Sequence, residues 1–149
     1  MVAAMNEVVP RIIPTALHEV TPDKIEAAWP ALEPLIGPCI DTDLFDPVHI
    51  KDLLLRGVYK LWIAGTRQGI EAIAVVEVIQ APKARCLVIW GCASAGKGAS
   101  DRWIDHLPAI EQWAKERFGC IKSRVEGRKG WARKLPDHKL VGHIMERAL

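Results

Sequence analysis

Three apolar runs separated by two short turns lie in the middle of the chain, where residues 58–92 read VYKLWIAGT-RQG-IEAIAVVEVIQ-APKA-RCLVIWGC. β-branched and aromatic residues dominate the runs, which is typical of strands. Because connections this short join antiparallel neighbours, the stretch predicts a three-stranded meander. The middle strand, Ile70 to Gln80, is apolar on both faces and is therefore predicted to be central in the sheet.

Helical patterns flank the meander on both sides. Before it, Thr21-Pro22 and Asp46-Pro47 each combine a helix-capping residue with a proline at the first helical position. After it, Ser100 is the predicted cap of a helix that ends at Gly119. The remaining predicted elements are an arm at residues 1–10, a short basic helix at Arg128 to Leu135, and strands at Arg11 to Val20, Cys120 to Glu126 and Leu140 to Met145.

The order of these elements indicates an α+β fold. It predicts a mixed, mostly antiparallel sheet with helices on both faces, built by a single domain over residues 11–149. Two of the helices contain prolines, at Pro30 and Pro34 in the first and at Pro108 in the third. Since an internal proline removes a helical hydrogen bond, these helices are expected to be kinked or divided.

The composition excludes several classes of protein. The best apolar run, Ile70 to Ile79, is interrupted by two glutamates and is too short to span a bilayer. The N-terminus lacks the basic and apolar regions of a secretory signal. The four cysteines are too few and too scattered for a disulfide framework, so reduced thiols and synthesis inside the cell are expected. Their spacing also predicts no metal site.

Charge is distributed unevenly along the chain, although the formal net charge is only +2. Residues 1–50 hold 2 basic and 8 acidic side chains, whereas residues 101–149 hold 11 basic and 7 acidic ones. The basic excess is concentrated between Lys122 and Lys139. This distribution suits docking against a charged partner.

A glycine-rich loop, Gly91-Cys-Ala-Ser-Ala-Gly-Lys-Gly98, joins the last strand of the meander to the next helix. It does not match a nucleotide-hydrolysing P-loop, because Gly98 stands where a serine or threonine must ligate magnesium. Backbone amides at a helix N-terminus can instead hold a pyrophosphate. The candidate cofactor-binding residues are therefore Ala95, Gly96, Lys97 and Gly98, with a plain glycine-rich turn as the equal alternative.

This strand, loop and helix, together with the whole element order over residues 11–148, resemble the GCN5-related N-acetyltransferase (GNAT) superfamily. The resemblance implies that the loop binds acyl-CoA and that an active member uses acetyl-CoA. Two positions depart from the family pattern: Ala93 replaces a glutamine or arginine of the loop, and Ala132 replaces the tyrosine that protonates the leaving thiolate. The one tyrosine of the chain, Tyr59, lies far earlier, and Glu77 in the central strand is the candidate general base.

The segment from Glu126 to Pro136 is the most distinctive in the chain, and it resembles the closing segment of small GNAT-like proteins of tailed bacteriophages. With the two alanines, this resemblance predicts a structural or internal virion component that lacks acetyltransferase activity and a bound cofactor. The residues expected to contact other virion proteins, or another acidic protein surface, are Arg128, Lys129, Trp131, Arg133 and Lys134. A solvated basic helix anchored by its tryptophan is the equal alternative.

Two other functions remain open from the sequence. One is an active acyl-CoA-dependent N-acyltransferase, with Glu77 or a water molecule as the base. The other is a nucleic-acid-binding module that uses the basic segment, whose affinity would fall steeply with salt. The leading prediction places the protein in the virion after synthesis in the host cytoplasm.

Overall fold

The computed structural model describes residues 16–66, 69–94, 102–126, 134–139, 141–142 and 145–149. Within these ranges the chain forms five strands and three α-helices, and a 3₁₀ turn at Gly37–Cys39 follows the first helix. The strands are β1 (Ala16–Val20), β2 (Lys60–Thr66), β3 (Gly69–Gln80), β4 (Arg85–Ser94) and β5 (Cys120–Val125). The helices are α1 (Pro22–Ile36), α2 (Pro47–Leu55) and α3 (Arg102–Phe118).

The five strands form one sheet in the order β1-β2-β3-β4-β5. Neighbouring strands are antiparallel from β1 to β4, whereas β4 and β5 are parallel. The predicted meander is therefore confirmed, with β3 at its centre. The parallel last pair makes the sheet mixed, as the α+β prediction requires.

Each face of the sheet carries its own hydrophobic core. On one face α1 and α2 cover buried residues of β2 and β3, and this core includes Ile25, Leu32, Ile50, Leu61 and Val75. On the other face α3 covers buried residues of β3 and β4, and this core includes Ala74, Val76, Leu87, Trp103 and Ile110. The prediction of helices on both faces is therefore confirmed. Both faces need a cover because β3 alternates its apolar side chains between the two cores.

The prolines inside α1 and α3 do not divide these helices, which differs from the prediction. α1 continues through Pro30 and Pro34, and α3 continues through Pro108. All three prolines are exposed, so the carbonyl groups that lose a helical partner lie on the solvent side, where water can bind them. The buried faces of both helices stay intact.

Only parts of the elements predicted near the two ends of the chain fall on residues that the structure describes. Ala16–Val20 confirms the second half of the first predicted strand, while the arm at residues 1–10 lies outside the described residues. In the predicted last strand, Val141, Gly142 and Met145 are described, and all three lie in exposed irregular backbone. Only Lys134 and Leu135 of the predicted basic helix are described, and neither is helical. In the described part of the chain, no helix is long and apolar enough to cross a membrane.

Candidate active site

A bulge in β4 creates an opening between β4 and β5. Val75 of β3 pairs with Gly91 and its neighbour Val76 pairs with Ile89, so Trp90 is one extra residue in β4. β5 pairs with β4 only from Arg85 to Ile89. Beyond Ile89, β4 runs on to Ser94 paired with β3, and among the described residues no strand pairs with its other edge. The two parallel strands therefore separate at the bulge.

The 3₁₀ turn after α1 is packed directly against this bulge. A Cβ atom placed on Gly91 would come within 2.7 Å of the Cys39 carbonyl oxygen and 2.8 Å of the Cys39 Cβ. Glycine is therefore the residue that allows the backbone of the turn to approach β4. This contact fixes the segment after α1 at the mouth of the opening.

Replacing Gly91 by alanine is expected to lower the free energy of unfolding by about 1–3 kcal/mol, because the new methyl group must displace backbone. Gly37→Ala in the same turn is the control, since its φ of −47° suits alanine and a Cβ there meets nothing within 4 Å. Urea unfolding of both variants measures the difference. Equal midpoints for the two variants would show that the contact with Cys39 is not a constraint.

A cavity of about 380 Å³, called the bulge cavity below, opens beside this part of β4 on the face covered by α1 and α2. Its size lies near the lower end of the range of about 300–1,000 Å³ that is usual for small-molecule sites. The residues that form its walls come from the 39–45 segment, Ile50, Tyr59, Val75, Trp90, Gly91, Glu126 and Glu146.

The lining of the bulge cavity combines acidic and apolar side chains. Asp41, Glu126 and Glu146 reach it from three separate segments, and no lysine or arginine is among the described residues that line it. Its apolar wall includes Leu44, which is 69% exposed, and the buried Ile50. No group of three or more metal-binding side chains occurs within the described ranges. The charge of the cavity therefore suits an organic cation.

Two aromatic side chains line the bulge cavity. Tyr59 and Trp90 stack with ring centroids 6.2 Å apart and an interplanar angle of 26°. The indole Nε1–H of Trp90 donates a 2.7 Å hydrogen bond to the Glu77 carboxylate, which fixes the orientation of the indole. Aromatic faces beside carboxylates favour cations, because the ring quadrupole and the negative charges attract the same ligand.

One tyrosine and two cysteines around the bulge are held in their neutral forms. Burial raises the pKa of the Tyr59 hydroxyl above its ordinary value, and the negative charges of Glu77 and Glu126 raise it further. Burial also raises the pKa of the Cys39 thiol to about 12 and raises that of Cys92. These thiols are therefore protonated and weakly nucleophilic at neutral pH. The Tyr59 phenol keeps its proton under the same conditions.

The structure places the sequence-predicted site residues as follows. Glu77 lies on β3 beneath Trp90 and is not among the described residues that line the bulge cavity. Lys134 is exposed, away from the cavity walls. The other predicted positions lie outside the described residues, and they are Ala95, Gly96, Lys97, Gly98, Arg128, Lys129, Trp131 and Arg133. Their roles stay predictions.

None of the residues that line the cavity was predicted as part of a site, and these include four with a carboxyl or phenol group: Asp41, Tyr59, Glu126 and Glu146. The acidic excess of residues 1–50 was the one signal in the sequence that pointed toward any of them, and it pointed only to Asp41. Tyr59 was set aside because it lies far from the closing segment in sequence. Packing brings it to the bulge, since β2 follows Tyr59 directly and lies one strand away from β4 beyond β3.

A second polar cluster lies on the opposite face of the sheet. The Ser123 hydroxyl donates a hydrogen bond to the Glu111 carboxylate, and His138 Nε2 lies 3.4 Å from both groups. Both contacts use the same imidazole nitrogen, so the histidine cannot pass a proton from the serine to the glutamate through its ring. This cluster ties the segment after β5 to α3.

No protein-family model and no curated protein sequence matches the chain. Solved structures do match it in fold. An aminoglycoside acetyltransferase from an uncultured soil metagenomic sample, solved with sisomicin, is 15% identical with a TM-score of 0.63, over 91% of this chain and 97% of that one. A ribosomal-protein-alanine N-acetyltransferase from Brucella melitensis is 14% identical with a TM-score of 0.61, over the same shares of the two chains.

A third similar structure is a predicted acetyltransferase from Clostridium acetobutylicum solved with acetyl-CoA. It is 17% identical with a TM-score of 0.58, over 91% of this chain and 95% of that chain. At these identities the similarity establishes the fold, which is the GNAT-like α+β fold that the element order predicted.

The prediction of a structural virion component is wrong. The three structures compared above share this fold along nine-tenths of the chain, and each is named as an acetyltransferase, not as a virion protein. They give no support to a bacteriophage resemblance or to a place in the virion. The prediction rested on the resemblance of the segment from Glu126 to Pro136 to bacteriophage proteins and on two alanines at motif positions. Such substitutions do not reveal whether other residues have taken over the chemistry.

Proposed function

We propose that the protein is an acyl-CoA-dependent N-acyltransferase whose acceptor is a primary amine on a molecule with more than one positive charge. The observation that carries the proposal is the acidic bulge cavity, which opens where β4 separates from β5. The fold shared with acetyltransferases supports the donor, and one of those structures holds acetyl-CoA. The carboxylates of the cavity support the acceptor.

The backbone of β4 fits an acyl-CoA donor. Residues Trp90 to Ser94 present an edge that no described strand occupies, and an extended ligand with amide groups can bind such an edge as an added strand. The amides of Ala95 to Gly98, just before α3, are the proposed site for the pyrophosphate. When bound, acyl-CoA would supply the activated acyl thioester.

The bulge cavity does three things for the acceptor in this proposal. Its carboxylates, Asp41, Glu126 and Glu146, attract the ammonium form of the amine and orient it. The stacked rings of Tyr59 and Trp90 bind the cation through their faces. Glu126, at the end of β5, accepts the proton that the amine must lose before it can attack. Glu77 stays the alternative base, although its carboxylate already holds the Trp90 indole.

Three acceptors are compared in one assay. An aminoglycoside and a peptide that begins with alanine follow from the similar structures. A linear polyamine is added because its charge suits the carboxylates of the bulge cavity. The wild-type protein is expected to bind acetyl-CoA with micromolar affinity by calorimetry. It is then expected to release free thiol only when a polycationic amine is present. Binding of acetyl-CoA without amine-dependent thiol release, for all three acceptors, would reject the proposed function.

A further inference from the structure

We propose that the Tyr59 hydroxyl donates the proton that the departing thiol needs during acyl transfer. This inference rests on the proposed function and assigns a catalytic residue within it. Tyr59 is the one tyrosine in the sequence, and it lies directly before β2 rather than in the closing segment of the chain.

The position of Tyr59 is fixed at the bulge by two kinds of contact. Its backbone N–H donates a 3.2 Å hydrogen bond to the carbonyl of Leu53 in the last turn of α2, and Val58 donates a 3.0 Å bond to the same carbonyl. Its ring stacks on Trp90, the extra residue of β4. A group held against the bulge from both sides has little freedom, and such preorganisation is what a proton donor requires.

Tyr59 is also the best proton donor among the described walls of the bulge cavity. Carboxylates act there as acceptors. The Cys39 thiol already donates to the carbonyl of Leu35 near the end of α1, at 3.3 Å. The Tyr59 hydroxyl remains, and its raised pKa keeps the proton in place until a stronger base, such as a thiolate leaving a thioester, develops beside it.

The bonds, electrons and protons of the acyl transfer can all be accounted for with groups at the bulge cavity. The amine nitrogen forms a bond to the acyl carbon while the bond between that carbon and sulfur breaks. Sulfur keeps the electron pair of the broken bond and takes the Tyr59 proton, which gives the free thiol. Before the attack the ammonium gives one proton to Glu126, which releases it to solvent. As the amide forms, the nitrogen gives a second proton to Glu126, and this proton returns to the Tyr59 oxygen. Glu126 is near enough to the phenol for its charge to act on it.

The test compares Tyr59→Phe with the wild type. Phenylalanine keeps the ring that stacks on Trp90, so folding and ligand binding are expected to be unchanged. The value of kcat is expected to fall by about 10²–10⁴-fold, the usual contribution of a positioned acid. The KM for the amine and the Kd for acetyl-CoA should stay within a few-fold. A merely structural role predicts a kcat close to that of the wild type, which would overturn the assignment.

A spectroscopic readout independent of turnover is available because no second phenol titrates in this chain. The near-ultraviolet absorbance of tyrosinate reports the pKa of Tyr59 directly. Glu126→Gln is expected to lower this pKa, because the charge that raises it is removed. Saturating coenzyme A is expected to raise it, because its sulfur and phosphates bring negative charge to the bulge. An unchanged titration midpoint in the presence of coenzyme A would contradict the assignment.

The outcomes separate the two proposals. If the wild type and Tyr59→Phe transfer acyl groups equally well, the assignment of Tyr59 fails and the proposed function stands. If the wild type transfers no acyl group to any amine, the proposed function fails and the assignment fails with it. Loss of kcat in Tyr59→Phe alone, with binding preserved, supports both.

Discussion

Replacing Glu126 and Glu146 by lysine in one protein is expected to lower kcat/KM for a polycationic amine by at least about 100-fold through charge reversal, and the loss of Glu126 as the proton acceptor lowers kcat further. Both carboxylates line the bulge cavity, so the double variant turns two attractive charges into two repulsive ones. Two unit charges 4 Å apart interact by about 4 kcal/mol near a protein surface. Because Glu126 and Glu146 are exposed and screened, a combined loss of roughly 3 kcal/mol is the expected scale.

The control for this prediction is Glu33→Lys combined with Glu116→Lys. These glutamates are exposed on α1 and α3 and do not line the bulge cavity, so the net charge changes equally without affecting the site. The affinity for acetyl-CoA, an anion, should not weaken in either double variant. Steady-state kinetics at two salt concentrations measures the effect, since the wild-type KM for the amine should rise with salt. An equal loss in both variants would mean that the cavity carboxylates do not select the amine.

Replacing Ile50 by alanine is expected to lower the free energy of unfolding by about 3 kcal/mol, the middle of the range for large-to-small changes in a core. Ile50 is only 2% exposed and belongs to the core beneath α1 and α2, while its side chain also forms part of the bulge cavity. For a chain of this length, such a loss shifts Tm downward by roughly 6–12 °C. The same change enlarges the cavity, so the KM for the amine should rise as well.

Val48→Ala is the matched control, because Val48 lies on the same helix and is 62% exposed. Its truncation removes little buried surface, so Tm should stay within about 1–2 °C of the wild type. Thermal unfolding followed by circular dichroism distinguishes the two variants. If Ile50→Ala unfolds at a Tm near that of the wild type, Ile50 does not belong both to the core and to the cavity wall as described.

The sequence predicted the fold class well because its signals are local. The alternation of apolar residues in β2 and β3, the short turns between strands, and the proline-marked starts of α1 and α2 are all readable within a few residues. The division that was one of the two outcomes expected at Pro30 and Pro34 does not occur, since the expectation considered the lost hydrogen bonds and not the face on which they fall. Both prolines lie on the exposed side of α1.

The candidate site was much harder to predict, because long-range packing assembles it. Asp41, Glu126 and Glu146 are far apart in the chain, and no periodicity links them. The bulge at Trp90 depends on the register between β3 and β4, which hydrophobic patterning does not determine to a single residue. Tyr59 was dismissed by its distance in sequence, although the fold brings it against Trp90.

The prediction of a virion component also rested on two substitutions at motif positions. Ala93 and Ala132 were taken as signs that cofactor binding and proton delivery had both been lost. Backbone amides and a strand edge can hold a cofactor without any particular side chain. A proton donor can likewise come from another helix, strand or loop, provided that its hydroxyl group reaches the departing sulfur.

The most direct test of the account is a single reaction with wild-type protein, acetyl-CoA and a linear polyamine, followed by mass spectrometry of the amine. The account predicts that the amine gains an acetyl group in proportion to the free thiol released. It also predicts that this product is strongly reduced when Glu126→Lys and Glu146→Lys are combined. An unmodified amine beside intact acetyl-CoA, in a reaction where calorimetry shows that acetyl-CoA binds, would contradict it.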